Sequence, residues 1–153
     1  MLNSWSLLDD MKKLLYLVFV ALMFVSCGNE ETKRVEKVYM YHESNGTPWI
    51  IYYYDVKGSD SVWVAEKWFH DNGALNLEGN IKDGKREGEF KSYYPSGRLY
   101  SVGAFVDGKR EGRGLVYHEN GQLNIDGDYH EGKPSGLWKF YDTEGNLLYT
   151  NEF

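Results

Sequence analysis

The sequence predicts an all-β protein, an open antiparallel meander of stacked β-hairpins preceded by an N-terminal signal helix. Three observations favour this fold class. Glycines recur every 24 residues, apolar and polar residues alternate between them, and short glycine-containing turns separate the alternating segments. The 17 glycines and 16% aromatic residues among 153 are typical of aromatic-rich strands joined by tight turns.

The first 26 residues have the pattern of a signal peptide. The basic segment 11–13 precedes an apolar run at 14–25. That run has the length of a secretory h-region and is too short for a membrane span, which needs roughly 20 residues. Residues 9 and 10 are both Asp, and acidic charge is unfavourable just before such a basic segment. We therefore expect translation to start at Met11, which makes residues 1–10 a candidate gene-model extension.

The single cysteine, Cys27, closes the apolar run and follows the small residue Ser26. This segment resembles the lipobox of bacterial lipoproteins, although Phe24 stands where Leu is usual. The resemblance implies that Cys27 is lipidated, that 27–34 form a polar tether, and that the chain is anchored in the bacterial cell envelope. Because Gly28 is not the Asp that retains some lipoproteins at the inner membrane, an outer-membrane destination is favoured. The alternative is an ordinary buried cysteine in an apolar helix.

Residues 69–153 consist of a 24-residue repeat without insertions. The predicted units are 69–92, 93–116, 117–140 and the partial unit 141–153. The turn glycines that carry this spacing are Gly73, Gly97, Gly121, Gly145, Gly84, Gly108 and Gly132. Each unit alternates as half-buried strands do, so each is predicted to be a β-hairpin. A lone hairpin is marginally stable in water, and the units must therefore stack.

Residues 35–68 have a looser period and are predicted to form capping strands at the N-terminal end of the array. Tyr41 and Gly46 lie 28 and 27 residues before Phe69 and Gly73, which indicates a diverged first repeat. An unrelated pair of edge strands is the alternative.

One repeat shows the motif in full: Gly121-Gln122-Leu123, Gly127-Asp128-Tyr129, Glu131-Gly132-Lys133, Gly136-Leu137-Trp138 and Tyr141. This pattern resembles the MORN variant repeat, and bacterial proteins of this type are grouped as the YwqK antitoxin-like family. The resemblance implies a β-hairpin array used for interaction.

Three segments match the G-x-x-x-x-G-K pattern of a phosphate-binding loop: 79–85, 103–109 and 127–133. Such a loop needs Ser or Thr next, and a helix after it. Arg86, Arg110 and Pro134 occupy that position here, so hairpin geometry explains the spacing. The histidines lack metal-ligand spacing, and His70 and His118 are predicted to be exposed turn residues. We expect no catalytic residue, no metal and no cofactor, and hence no enzyme.

The predicted function is a membrane-anchored, non-enzymatic interaction module whose partner is an unknown protein or an envelope glycan. A net charge of −6 argues against nucleic acid as a partner. The candidate partner-binding residues are Tyr52, Tyr53, Tyr54, Trp63, Trp68, Tyr94 and Trp138. The first alternative is an antitoxin or immunity protein that neutralises a toxin by direct binding. A carbohydrate-active domain that uses Asp126 or Glu89 is a second alternative.

Overall fold

The structure, a computed structural model, describes residues 31–153. The predictions of a signal peptide at 1–26 and of lipidation at Cys27 lie outside these residues. Ten strands form one antiparallel sheet within the described range, and each strand pairs with its neighbours in the chain. The predicted open meander of hairpins is therefore confirmed.

The strands are β1 (Lys33–Tyr41), β2 (Pro48–Lys57), β3 (Asp60–Phe69), β4 (Leu75–Lys82), β5 (Lys85–Tyr93), β6 (Leu99–Val106), β7 (Lys109–Tyr117), β8 (Leu123–His130), β9 (Lys133–Tyr141) and β10 (Leu147–Glu152). β1 begins inside the segment that was predicted to be a tether, because Arg34 pairs with Asp55 of β2. No helix among the described residues is long and apolar enough to cross a membrane.

The tight turns within the repeats have positive φ at both central residues. In the β4–β5 turn, φ is 51° at Asp83 and 75° at Gly84. This geometry matches the twist of the flanking strands, as in a type I′ turn. Asp107 and Glu131 adopt the same conformation in the next two turns, with φ of 54° and 49°. The acidic residue before each glycine therefore shares the left-handed conformation of that glycine.

Strand register gives the sheet two chemically different faces. The apolar face includes Ile50, Tyr52, Trp68, Leu77, Ile81, Phe90, Phe105, Ile125, Tyr129, Trp138, Phe140 and Tyr149. The charged face includes Lys67, Glu78, Lys91, Arg113, Asp126 and Lys139. No second layer covers either face in the described residues. The apolar side chains must therefore be shielded by one another.

Candidate interaction surface

Arginine side chains link the aromatic rings of successive repeats on the apolar face. The Arg86 guanidinium lies 4.8 Å from the ring centre of Phe90 and 5.6 Å from that of Phe105. One repeat later, Arg110 lies 5.5 Å from Phe105 and 5.1 Å from Tyr129. A guanidinium over an aromatic face is attractive, and its hydrocarbon stem also covers apolar surface. The column of alternating rings and guanidinium groups holds the repeats together.

The strand glycines make room for two of these rings. A Cβ atom at Gly79 would overlap the ring of Phe90, and one at Gly127 would overlap the ring of Trp138. Trp138 is only 9% exposed, and its indole N–H donates to the carbonyl of Asp128 at 3.1 Å. Trp138 therefore packs inside the array and presents little surface to a partner.

A buried ion pair starts this column. Glu66 takes the position that Phe90 and Trp138 hold in later repeats. It is only 4% exposed. Arg86 donates to the same carboxylate oxygen from Nη2 at 2.8 Å and from Nε at 3.0 Å. A buried carboxylate is tolerated when it is paired in this way. The pair joins the N-terminal strands to the repeats.

The polar residues beside the longer turns also bond from one repeat to the next. The Nε2 atoms of His70 and His118 lie 2.8 and 2.9 Å from the carbonyl oxygens of Tyr93 and Tyr141. Because a carbonyl only accepts, Nε2 carries the proton in these bonds. The prediction that His70 and His118 are exposed turn residues is wrong, since both rings are half-buried. The sequence of one turn does not show that its histidine bonds to a carbonyl of the next repeat.

The asparagines of the same turns repeat this arrangement. The Asn72 and Asn120 amides donate to the carbonyls of Pro95 and Thr143 at 2.8 and 2.7 Å. Asn45 donates likewise to the carbonyl of Asp71. The turn between β1 and β2 therefore makes the same contacts as the turns of the regular repeats.

On the opposite edge, carboxylates cap the tight turns. Glu111 accepts hydrogen bonds from the backbone N–H of Glu131 at 2.8 Å and from Nδ1 of His130 at 2.9 Å. These two bonds lower the pKa of Glu111, and the bond to Glu111 raises the pKa of His130 above its ordinary value. One repeat earlier, the Glu87 carboxylate likewise accepts a hydrogen bond at 3.0 Å from the backbone N–H of Asp107, which lies in the next repeat along the chain.

The charged face is held by ion pairs and by one tyrosine. Arg113 binds Asp126 through two bonds of 2.6 and 2.8 Å, which lowers the pKa of that carboxyl. Tyr93 donates to Glu78 at 2.8 Å. Burial, followed by this bond, raises the pKa of Tyr93 to about 12. These charges therefore have partners within the sheet.

Aromatic residues of the first three strands form a group that we call the aromatic stack: the exposed Tyr39 and the half-buried Tyr52 and Trp63. Tyr39 stacks on Tyr52 with ring centres 4.9 Å apart, and Tyr52 lies 4.7 Å from Trp63. The Trp63 N–H donates to the carbonyl of Ala65 at 2.9 Å, which fixes the indole. Burial raises the pKa of Tyr52, whereas Tyr39 stays 59% exposed. The structure thus brings together two of the predicted partner-binding residues.

Of the other predicted partner-binding residues, Tyr54 adjoins the aromatic stack, whereas Tyr53 and Tyr94 lie apart from it. Tyr53 pairs with Ala65 and lies near the Lys67 ammonium group, 5.9 Å from the ring centre, on the charged face. Tyr54 pairs with Trp63 in the register. Tyr94 belongs to the turn edge, where its hydroxyl donates to the carbonyl of Tyr117 at 2.8 Å.

Trp68 packs behind a further feature, the Trp49 groove, through its contact with Trp49. The Trp68 indole meets Trp49 edge to face at 6.3 Å, and its N–H is buried without a partner. The Trp49 groove has a volume of about 630 Å³. It is lined by Met40, Tyr41, His42, Glu43, Trp49, Phe69, His70, Asp71, Asn72, Asn76 and Pro95.

Sequence reasoning missed Tyr39, Tyr41 and Trp49, although the density of aromatics in β1 and β2 was a visible signal.

No group of three or more His, Cys, Asp or Glu residues that could hold a metal ion occurs within 31–153.

Comparisons with known proteins identify the repeat and nothing further. The model of the MORN repeat variant matches residues 86–107, 110–131 and 134–153. No curated protein matches the chain. The crystal structure of TarM is 14% identical over 90% of this chain and 21% of that chain, with a TM-score of 0.32. The GtfA/B complex bound to UDP and GlcNAc is 13% identical over 82% and 23%, with a TM-score of 0.29. The chain thus spans less than a quarter of either protein, and likeness at this level indicates no function.

Proposed function

This chain carries three consecutive MORN variant repeats, which mark a repeat-based interaction module, and we propose that it is a non-enzymatic binding protein of the bacterial envelope. In this proposal Cys27 is lipidated and anchors the chain, and the sheet presents its N-terminal aromatic residues to a protein partner or to a glycan. The short apolar run at 14–25 and the single cysteine that follows it support the anchor.

The observation that carries the proposal is the exposure of aromatic side chains on β1, the outermost strand of a single-layered sheet. Tyr39 and Tyr41 are 59% and 57% exposed. Tyrosine rings bury a large area at a low cost in conformational entropy and keep a polar hydroxyl, which suits them to interfaces. The aromatic stack holds Tyr39 in place, so this surface is partly organised before a partner arrives.

Ion pairing at the candidate carboxylates supports a binding role over catalysis. A general acid needs a raised pKa. The two bonds from Arg113 lower the pKa of Asp126, and Glu89 is paired with Lys91 at 2.7 Å. These contacts disfavour the carbohydrate-active alternative that was built on Asp126 or Glu89.

Site-specific photocrosslinking in intact cells tests the binding role. A photoreactive phenylalanine analogue replaces Tyr39 or Tyr41, and Tyr149 serves as a matched control because it is 56% exposed on β10, at the opposite edge of the sheet. We expect a crosslinked product of one discrete mass from positions 39 and 41. An absent product, or an equal yield from position 149, would contradict the proposal. A captured toxin encoded beside this chain would favour the antitoxin alternative.

The anchor is tested by metabolic labelling with an alkyne analogue of palmitate. We expect the full chain to take up the label and to fractionate with membranes, and Cys27→Ala to lose both properties. Ser26→Ala is the matched control, since it keeps a small residue before the cysteine. Retention of the label in Cys27→Ala would refute lipidation at this residue.

A further inference from the structure

A column of bulge residues runs along the turn edge of the sheet, and it explains why the Trp49 groove exists. In each repeat the register shifts by one residue just after the longer turn. The extra residue at these shifts is in turn Trp49, Asn76, Tyr100, Asn124 and Leu148. Large and small side chains therefore alternate. The groove opens where the small Asn76 follows the large Trp49.

The indole of Trp49 is held by its neighbours. Its ring centre lies 5.6 Å from that of His42 and 6.3 Å from that of Trp68. His42 is itself fixed, because Nδ1 lies 2.6 Å from a carboxylate oxygen of Asp71 and Nε2 lies 3.0 Å from the carbonyl oxygen of Phe69. The groove therefore has a rigid aromatic wall.

Polar groups around this wall are open to solvent and not engaged by other side chains of residues 31–153. Among the contacts of residues 31–153, the Asn76 amide, the Glu43 carboxylate and the Tyr41 hydroxyl take part in no side-chain hydrogen bond or ion pair. Asn76 and Trp49 lie on alternate strands of the sheet, so their backbones are about 10 Å apart. Both residues line the groove, whose volume of about 630 Å³ accommodates a six-membered sugar ring.

The chemistry of the lining selects the ligand class. Flat aromatic surface suits the C–H face of a sugar ring, and amide and carboxylate groups suit its hydroxyls. Lys and Arg are absent from the lining, while Glu43 and Asp71 are acidic, so the groove disfavours a phosphorylated or otherwise anionic ligand.

We propose that the Trp49 groove binds a neutral oligosaccharide, with Trp49 as the stacking platform and Asn76 and Glu43 as hydroxyl partners. This proposal rests on the proposed binding function and names a ligand class for one site of the module.

Titration of the full chain with cellohexaose, maltohexaose and N-acetylchitohexaose tests the proposal. The chain is kept in a detergent without a sugar headgroup, and binding is followed by tryptophan fluorescence and calorimetry. We expect at least one saturable isotherm. Trp49→Ala should weaken it by about tenfold or more, as truncation of an aromatic anchor does. Trp49→Phe should retain part of the affinity and Asn76→Ala should lose several-fold, whereas Tyr149→Ala should bind as the parent chain does.

Absence of binding by all three sugars at about 10 mM, where even a millimolar complex would form, overturns the oligosaccharide proposal. Equal affinity of Trp49→Ala and the parent chain overturns it too. Circular dichroism of both Trp49 variants verifies that the sheet is intact. Crosslinking at Tyr39 or Tyr41 to a protein would leave the proposed binding function standing even if no sugar binds. The two experiments therefore distinguish a wrong oligosaccharide proposal from a wrong proposal of a binding function.

Discussion

Three glycines in the same position of successive repeats differ in what covers them. A Cβ atom at Gly79 or Gly127 would overlap an aromatic ring, whereas at Gly103 the nearest atom, Nη1 of Arg110, would lie 3.6 Å away. The spacing of these glycines was visible in the sequence. Which of them lies under a ring depends on the facing strand, where Gly114 takes the place of Phe90 and Trp138.

This difference predicts opposite effects for one substitution. Gly127→Ala should lower the free energy of unfolding by about 1–3 kcal/mol, because the new methyl group forces the Trp138 ring out of place. Gly103→Ala should be neutral or stabilising by up to about 1 kcal/mol, since it only restricts the unfolded chain. Urea unfolding monitored by fluorescence measures both. Equal destabilisation by the two variants would contradict the packing described for the rings.

The His130–Glu111 pair predicts a pH dependence of one local contact. The pKa of His130 is raised above 6.5, so its contribution to stability is full below that pH and is lost as the pH rises through the raised value. The pKa of Glu111 is lowered from 4.5, so its contribution is full above that pH and is lost as the pH falls. The contact is therefore strongest between about pH 4.5 and 6.5.

Substitution of Glu111 tests this contact. We expect Glu111→Gln to return the pKa of His130 towards 6.5, as measured by an NMR titration of the ring protons. Glu119→Gln, at the other turn edge, should leave it unchanged. An unaltered His130 titration in Glu111→Gln would show that the carboxylate is not its partner in solution.

At the level of the hairpin, side chains of each longer turn form hydrogen bonds to the backbone of the next repeat. The hairpins were predictable from the sequence because turn glycines and alternation act locally. The bonds that His70 and Asn72 make to the following repeat were not, because they depend on how closely two turns stack. The sequence of one turn does not distinguish a polar residue that is exposed to solvent from one that bonds to the next repeat.

Asn120 and Ser96 occupy equivalent turn positions and form a natural comparison. The Asn120 amide donates to the carbonyl of Thr143, and its carbonyl oxygen accepts the N–H of Gln122 at 3.0 Å. Asn120→Ala should therefore cost about 1–3 kcal/mol of stability. Ser96→Ala should stay within about 0.5 kcal/mol, since Ser96 makes no side-chain hydrogen bond within residues 31–153. Thermal unfolding of both variants measures the difference. Similar losses would rule out the hydrogen bond between successive turns as the cause.

Every strand pairing of the described sheet joins chain neighbours, and the side-chain contacts beyond these pairings reach the next repeat. In such an array, stability is the sum of unit and nearest-neighbour terms. The sequence predicted this architecture well from its 24-residue period. It did not predict which aromatic rings stay open, since strand alternation does not tell which rings are covered by a neighbour, as Trp138 is, and which are exposed, as Tyr39 is.

Nearest-neighbour stability predicts that damage stays local. Trp138→Ala removes a ring that is 9% exposed, which should cost about 3–5 kcal/mol. Hydrogen exchange should accelerate in β8, β9 and β10 and change little in β1, β2 and β3. Tyr149→Ala, which truncates an exposed ring on the adjacent strand, serves as the control. A uniform acceleration across all strands would mean that the sheet opens as one cooperative unit.

The placement of β1 and β10 at opposite borders of the sheet has a mechanical consequence. Tension applied between these two strands runs across the sheet, along its hydrogen bonds, so all strand pairs bear the same load and the weakest pair opens first. Such a sheet yields by peeling at low force and can close again from the remaining hairpins. Partial opening of this kind would lengthen the chain by one hairpin at a time while the remaining strands stay folded.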